Sequence, residues 1–211
     1  MDTDAALATR LSRDLEGAFP ALVLAHQDRL YTIALRLLGD ARDAEEVAQD
    51  ALVRAFRAMD GYPHERIAAL RLRPWLASIA INLARNRRRR IDDRRPPSQL
   101  EPLLEAGFDV PVAPRGRPDV AADRRETQRE LADALLRLTP AVRDAIVLRH
   151  VDGLSVAETA EALGRPEGTV KAQVHRGLRE LRVLLDASPA PLPTRTAPRP
   201  VRLVPAMEAL R

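Results

Sequence analysis

Apolar residues recur three and four positions apart through most of this chain, the spacing of one face of an α-helix. Phe19, Leu22, Val23, His26, Leu30, Ile33, Ala34 and Leu37 form one such stripe, and Gly39 marks its end. Asp40 is placed to cap the next helix. The inward face of that helix is Ala44, Val47, Ala48, Ala51, Leu52, Ala55, Phe56 and Met59, opposite Asp43, Glu46, Gln49, Asp50 and Arg57. The stretch from Gly61 to Arg73 reads as a loop, and Pro74 suits the first position of a third long helix. There Trp75, Leu76, Ile79, Ala80 and Leu83 are expected inward, and Ser78, Ile81, Arg85 and Arg88 outward. A helical block is therefore predicted over residues 10–90.

A second helical block is predicted over residues 126–186. Leu131, Ala134, Leu135 and Leu138 make one stripe. Thr139-Pro140 opens the next helix, with Val142, Ile146, Val147 and Val151 as its apolar face and Asp152-Gly153 at its close. Between the blocks, residues 91–125 contain six prolines and two glycines, a composition that breaks helices and reads as a linker. Residues 187–211 are again proline-rich and read as a disordered tail. The fold class expected is all-α, two small helical domains joined by a proline-rich linker.

The segment from Ser155 to Arg182, SVAETAEALGRPEGTVKAQVHRGLRELR, has the internal logic of a helix-turn-helix. Ser155 and Glu158 are spaced as a capping box. Gly164 stops the first helix, and Arg165-Pro166 forms the turn. In the second helix Val170, Val174, Leu178, Leu181 and Leu185 lie on one side. The other side carries Gly168, Ala172, His175, Arg176 and Arg179, flanked by Thr169 and Lys171. Small residues at the start allow close approach to a groove, and basic ones reach phosphates or guanine edges. The plainer reading is an amphipathic hairpin with a solvated basic face. Cap, turn and basic face coincide here, which favours DNA.

Composition narrows the picture. Aromatic residues are 3% of the chain, so the cores are aliphatic. The net charge is +4, and Lys171 is the only lysine among 34 basic side chains. There are no cysteines, which excludes disulfides and thiolate metal sites. The four histidines lack ligand spacing, so no metal or cofactor is expected. No apolar run approaches a membrane span and the N-terminal stretch lacks a signal core, so a cytoplasmic protein with no membrane partner is expected.

Three stretches together resemble the extracytoplasmic-function sigma factors of the bacterial sigma-70 family. They are LYTIALRLLGDARDAEEVAQDALVRAFRAM from Leu30, WLASIAINLARNRRRR from Trp75, and the stretch from Leu138 to Arg182 with GTVK followed by HR and LR. The resemblance implies a region 2 bundle and a region 4 helix-turn-helix domain. It implies that Asp43, Glu46, Gln49 and Asp50 meet the beta-prime clamp of core RNA polymerase, with the beta flap as a further contact. It implies that the Trp75–Arg90 helix meets the promoter −10 element, where Asn82, Arg85, Arg88 and Arg89 are candidate contacts. Tyr62 and His64 in the preceding loop are a candidate base pocket. Thr169, Lys171, Ala172, His175, Arg176 and Arg179 are the candidate −35 contacts. Family members often have an anti-sigma factor as partner.

Simpler explanations exist for some of these residues. Acids in a first helical turn are favoured by the macrodipole whatever their function. Trp75 reads more readily as core than as a stacking platform. The run Arg87–Arg90 suits a nonspecific phosphate anchor. The sequence departs from the family pattern at Ile81, Asn86, Ala172 and Gln173, and the Gly61–Arg73 loop lacks the family's frequent phenylalanines. A stand-alone helix-turn-helix regulator would leave Leu30–Arg90 unused. A nuclease would need a catalytic constellation around Asp43, Glu45, Glu46 and Asp50, which lack partnering His or Lys residues. No catalytic residue is assigned.

Overall fold

The computed structural model describes residues 3–94 and 118–187, and the tail at 188–211 and most of the linker lie outside the described residues. All the regular elements among them are helical. The first block contains α1 (Thr3–Arg13), α2 (Leu15–Leu38), α3 (Ala41–Asp60), α4 (His64–Ala68) and α5 (Leu72–Arg94). The second contains α6 (Pro118–Arg137), α7 (Pro140–Ile146), a π-helical turn (Val147–Val151), α8 (Val156–Leu163) and α9 (Glu167–Asp186).

Several helix ends follow directly from local chemistry. Asp14 accepts from the Gly17 amide at the start of α2, and Asp40 from the Asp43 amide at the start of α3. Gly39 ends α2 at φ 80°, in the left-handed region where a side chain would be strained. Ser155 and Glu158 form both halves of the capping box. At α7, Pro140 starts the helix, but the Thr139 side chain makes no capping hydrogen bond.

Other elements differ from the sequence expectation. The Gly61–Arg73 stretch contains α4, and α5 begins at Leu72, two residues before Pro74. Helix α6 starts at Pro118, inside the segment read as linker, with proline in the first turn where its missing N–H costs nothing. Val151, Leu131, Leu178 and Leu185, all read as inward, are exposed. The largest difference is Ile81. It was expected outward and is fully buried.

The reason is that the two blocks pack on one another. Helices α2, α3 and α5 form the bundle of the first block. Leu76, Ala80 and Leu83 of α5 are buried, but so are Ala77, Ile81 and Ala84. A helix apolar on both sides must be covered on both sides. Helix α8 packs against α5, and α6 and the π turn pack against α2. One continuous apolar cluster therefore includes Ile81 and Ala84 together with Leu148, Leu154, Ala160 and Leu163. A smaller cluster joins α6, α7 and α9 through Leu135, Leu138, Val142, Ile146 and Leu181.

Two close approaches fix this packing. Gly39 faces Leu136 of α6, and Gly177 of α9 lies directly on Val142 and Ile146 of α7. A Cβ at Gly177 would sit 2.7 Å from both Ile146 Cγ1 and Val142 Cγ1. Gly177→Ala is therefore expected to overpack the α7–α9 contact at a cost of about 1–3 kcal/mol, read as a lower midpoint in chemical denaturation. An unchanged midpoint would mean that α7 and α9 are looser than described.

His26 of α2 is buried, with Nε2 3.5 Å from an Asp4 carboxylate oxygen. Burial pushes its imidazole below the ordinary value. Asp4 and Asp152 partly oppose this, and Arg29 and Arg73 reinforce it. The unfolded chain then binds a proton more readily than the folded one. The resulting stability is present above pH about 6.5 and is lost as pH falls towards the lower folded value. Thermal midpoints of the wild type should fall between pH 7 and 5, and His26→Gln should flatten that slope. An equal slope in the variant would place the dependence elsewhere.

Candidate nucleic-acid interface

Helix α9 presents its basic side to solvent. Thr169, Lys171, Ala172, His175, Arg176 and Arg179 are all exposed, whereas Val170, Gly177 and Leu181 are buried. The structure thus brings the six candidate −35 residues onto one open surface. Some of their cations are already engaged locally. Arg176 Nε donates to Glu180 at 2.6 Å, and Lys171 Nζ stands 3.8 Å from Glu167. Such exposed pairs within one helix contribute little stability and exchange readily for another anion. Arg165, in the turn, donates to Ala141 O at 3.1 Å and to Gln173 Oε1 at 2.9 Å. It ties the turn to both α7 and α9, a role that the sequence reading left unassigned.

The acidic face of α3 is less uniform than the sequence suggests. Glu46, Gln49 and Asp50 are exposed, whereas Asp43 is half-buried. Arg87 of α5 reaches across to Asp43 through Nε at 2.8 Å and to Glu46 through Nη1 at 2.8 Å. The paired carboxylates raise the Arg87 pKa above its usual value, Asp43 most of all. Arg87 therefore links α3 to α5 and is not simply one member of a basic run.

The candidate −10 residues lie in different settings. Asn82 and Arg89 are exposed, and Arg89 donates to Asn86 at 2.7 Å. Tyr62 precedes α4, and His64 is the first residue of that helix. The Arg66 guanidinium stands 3.7 Å from the centre of the Tyr62 ring, and the Trp75 ring is 6.3 Å from it. His64 Nδ1 is hydrogen-bonded to the Ser12 carbonyl. Arg88 is half-buried. Arg85 is turned inward to the second block, where its Nε and Nη2 each lie 2.8 Å from Asp144 Oδ2.

Arg85 is not alone in that contact. Arg29 of α2 pairs with the buried Asp152. Arg73 Nη2 donates to the Asp152 carbonyl at 2.6 Å. Arg71 reaches Glu158 at 2.9 Å and Glu161 at 3.0 Å, both on α8. Arg29, Arg71 and Arg73 were not picked out from the sequence, because nothing local marks an arginine whose partner lies 79 to 123 positions away.

Among the described residues no group of three or more His, Cys, Asp or Glu could hold a metal ion. No described helix is long and apolar enough to cross a membrane.

Comparisons with known proteins agree with this layout. The sigma-70 region 2 family model matches residues 22–94, and the sigma-70 region 4 model matches residues 128–181. The ECF RNA polymerase sigma factor SigW of Bacillus subtilis is 31% identical over 172 residues, which cover 79% of this chain and 88% of that protein. The ECF RNA polymerase sigma-E factor of Escherichia coli K12 is 30% identical over 177 residues, covering 82% and 90%. The solved structure of CnrH in complex with the cytosolic domain of CnrY is similar at a TM-score of 0.64 and 28% identity, over 89% of this chain and 99% of that one. By helix order, by both matched regions and by these relatives, the chain belongs to the extracytoplasmic-function sigma factors of the sigma-70 family, which direct RNA polymerase to promoters and support initiation.

Proposed function

We propose that the work of initiation is divided among four segments of this chain. Residues 10–90 engage the polymerase clamp and the −10 element, and residues 126–186 read the −35 element as duplex. Residues 91–125 span the distance between them, and 187–211 form a tail. The exposed basic side of α9 is the observation that carries this reading, because it offers a ready surface to the major groove. The protein itself catalyses nothing. It supplies position and charge while core polymerase supplies the chemistry, in the cytoplasm. An anti-sigma factor is a natural further partner, and the similar protein CnrH is solved in complex with the cytosolic domain of CnrY.

In this reading Glu46, Gln49 and Asp50 meet the clamp through their exposed face, with the beta flap as a further contact on core. Asp43 plays a double part, because it also holds Arg87. Tyr62, His64, Asn82, Arg85, Arg88 and Arg89 serve the −10 element. Melted-strand capture needs a basic groove and a place for unstacked bases, and the Tyr62 neighbourhood supplies the latter. Thr169, Lys171, Ala172, His175, Arg176 and Arg179 serve the −35 element.

Three measurements test this division. Glu46→Ala with Asp50→Ala should weaken association with core polymerase and leave the unfolding midpoint unchanged. Asp43→Ala should lower both. If the double variant binds core as the wild type does, the acidic face is not the polymerase contact. Arg176→Ala should cost about 1–3 kcal/mol of −35 affinity and relax selectivity at one position if its freed guanidinium reads a guanine. A uniform loss on all sequences, with a shallower salt dependence, would make it a phosphate contact.

A further inference from the structure

Helix α4 is too short to stand alone. It has five residues, and its N-cap, Pro63, offers no side-chain hydrogen bond. Starting a helix is unfavourable, so a single turn persists only where tertiary contacts hold it. Here α4 packs on α1, a helix that precedes residues 22–94, the part matched by the region 2 model. Ile67 of α4 and Leu7 and Leu11 of α1 are all buried. A polar tie adds to them. Ser12 is buried in the last turn of α1, where carbonyls have no partner within the helix. A buried carbonyl needs a donor, and His64 supplies one through Nδ1. A carbonyl oxygen can only accept, so Nδ1 carries the proton and the ring is fixed in one orientation.

Arg66 is carried on the same short helix. Its guanidinium carbon is 3.7 Å from the centre of the Tyr62 ring, and the Trp75 ring stands 6.3 Å from Tyr62 at an interplanar angle of 58°. Arg66 is exposed, and among the described residues it pairs with no carboxylate. A guanidinium over an aromatic ring is attracted to the negative face of that ring and lies flat on it. Its outer face then remains open. Such a plane stacks on unpaired bases much as an aromatic ring does, and it brings positive charge beside the strand.

We infer that α1 and α4 build a stacking platform for one unpaired base of the −10 strand, with Arg66 as its outer layer on Tyr62 and His64 as the positioning residue that fixes α4 through Ser12. This rests on the reading of the Tyr62 neighbourhood as the place for unstacked bases. It adds Arg66 to the strand contacts, and it makes His64 act through α4 instead of on a base. Stacking of this kind accepts every base, so the platform supplies affinity for the unpaired strand and leaves base identity to other residues. Helix α1 packs only on first-block helices in this role, namely α2, α4 and α5, so the platform is complete within the first block.

The test uses the full-length protein and a single-stranded oligothymidylate of about 20 nucleotides with 2-aminopurine at every fourth position, a length within the span of typical single-strand sites. The fluorescence of 2-aminopurine falls when it stacks. The wild type should bind the strand and quench it. Arg66→Ala should lose the quench and bind at least about fivefold more weakly. Arg66→Lys keeps the charge, loses the plane and disturbs no buried contact. It should also lose the quench, with the salt slope of binding unchanged. His64→Ala should lose most of the quench. His64→Asn, whose amide nitrogen can take the position of Nδ1, should restore it, and His64→Gln, which mimics Nε2, should not. Restoration by Gln and not by Asn would make His64 a base contact and overturn its positioning role. No quench by the wild type, or a full quench by Arg66→Ala or Arg66→Lys, would overturn the platform. Initiation with core polymerase is scored in parallel. A wild type that quenches and directs no initiation contradicts the proposed function and leaves the platform standing, whereas one that initiates without quenching overturns the platform alone.

Discussion

Arg143 holds the arrangement of the two blocks. It is buried. Its guanidinium donates to backbone carbonyls at two helix ends. Leu135, Leu136 and Leu138 supply oxygens from the end of α6, and Leu37 supplies one from the end of α2. The last carbonyls of any helix lack partners within it, and each end carries partial negative charge. A single cation placed between two such ends satisfies both. The approach of Leu136 to Gly39 and the cluster behind it follow from that shared cap. The acid of the following position, Asp144, is thereby delivered to Arg85.

This makes α5 the element with two neighbours. Its Leu76 side belongs to the bundle and its Ile81 side to the second block. Apolar contacts on the two sides differ in kind. The bundle side contains large aliphatic residues from three long helices, while the outer side combines Ile81, Leu148, Leu154 and Leu163 with small residues and ion pairs.

Much of the fold was legible because it is local. Asp40, Gly39, Ser155, Glu158 and Gly164 act within a few residues of themselves, so spacing alone placed them. Helix α6 was hidden by its own first residue, since Pro118 ends a helix when internal and begins one at the first position. Helix α4 has no side-chain cap to announce it. The π turn at 147–151 carries no pattern distinct from the helix before it, and it explains why Val151 swings outward. Of the site, the α9 surface was legible from its wheel, because one helix decides it. Arg85 was placed outward because the wheel of α5 knows nothing of a partner 59 residues away. Ile81 was the available signal: an isoleucine among arginines on an otherwise polar face asks what covers it.

The seam between the blocks is also unequal in what each side can afford to lose. Glu158 closes the α8 cap through one oxygen while holding Arg71 through the other, so its replacement damages the helix itself. Asp144 and Asp152 lie outside that cap and turn their carboxylates to Arg85 and Arg29. Loss of either aspartate removes a bond across the seam alone, whereas loss of Glu158 also frays the start of α8.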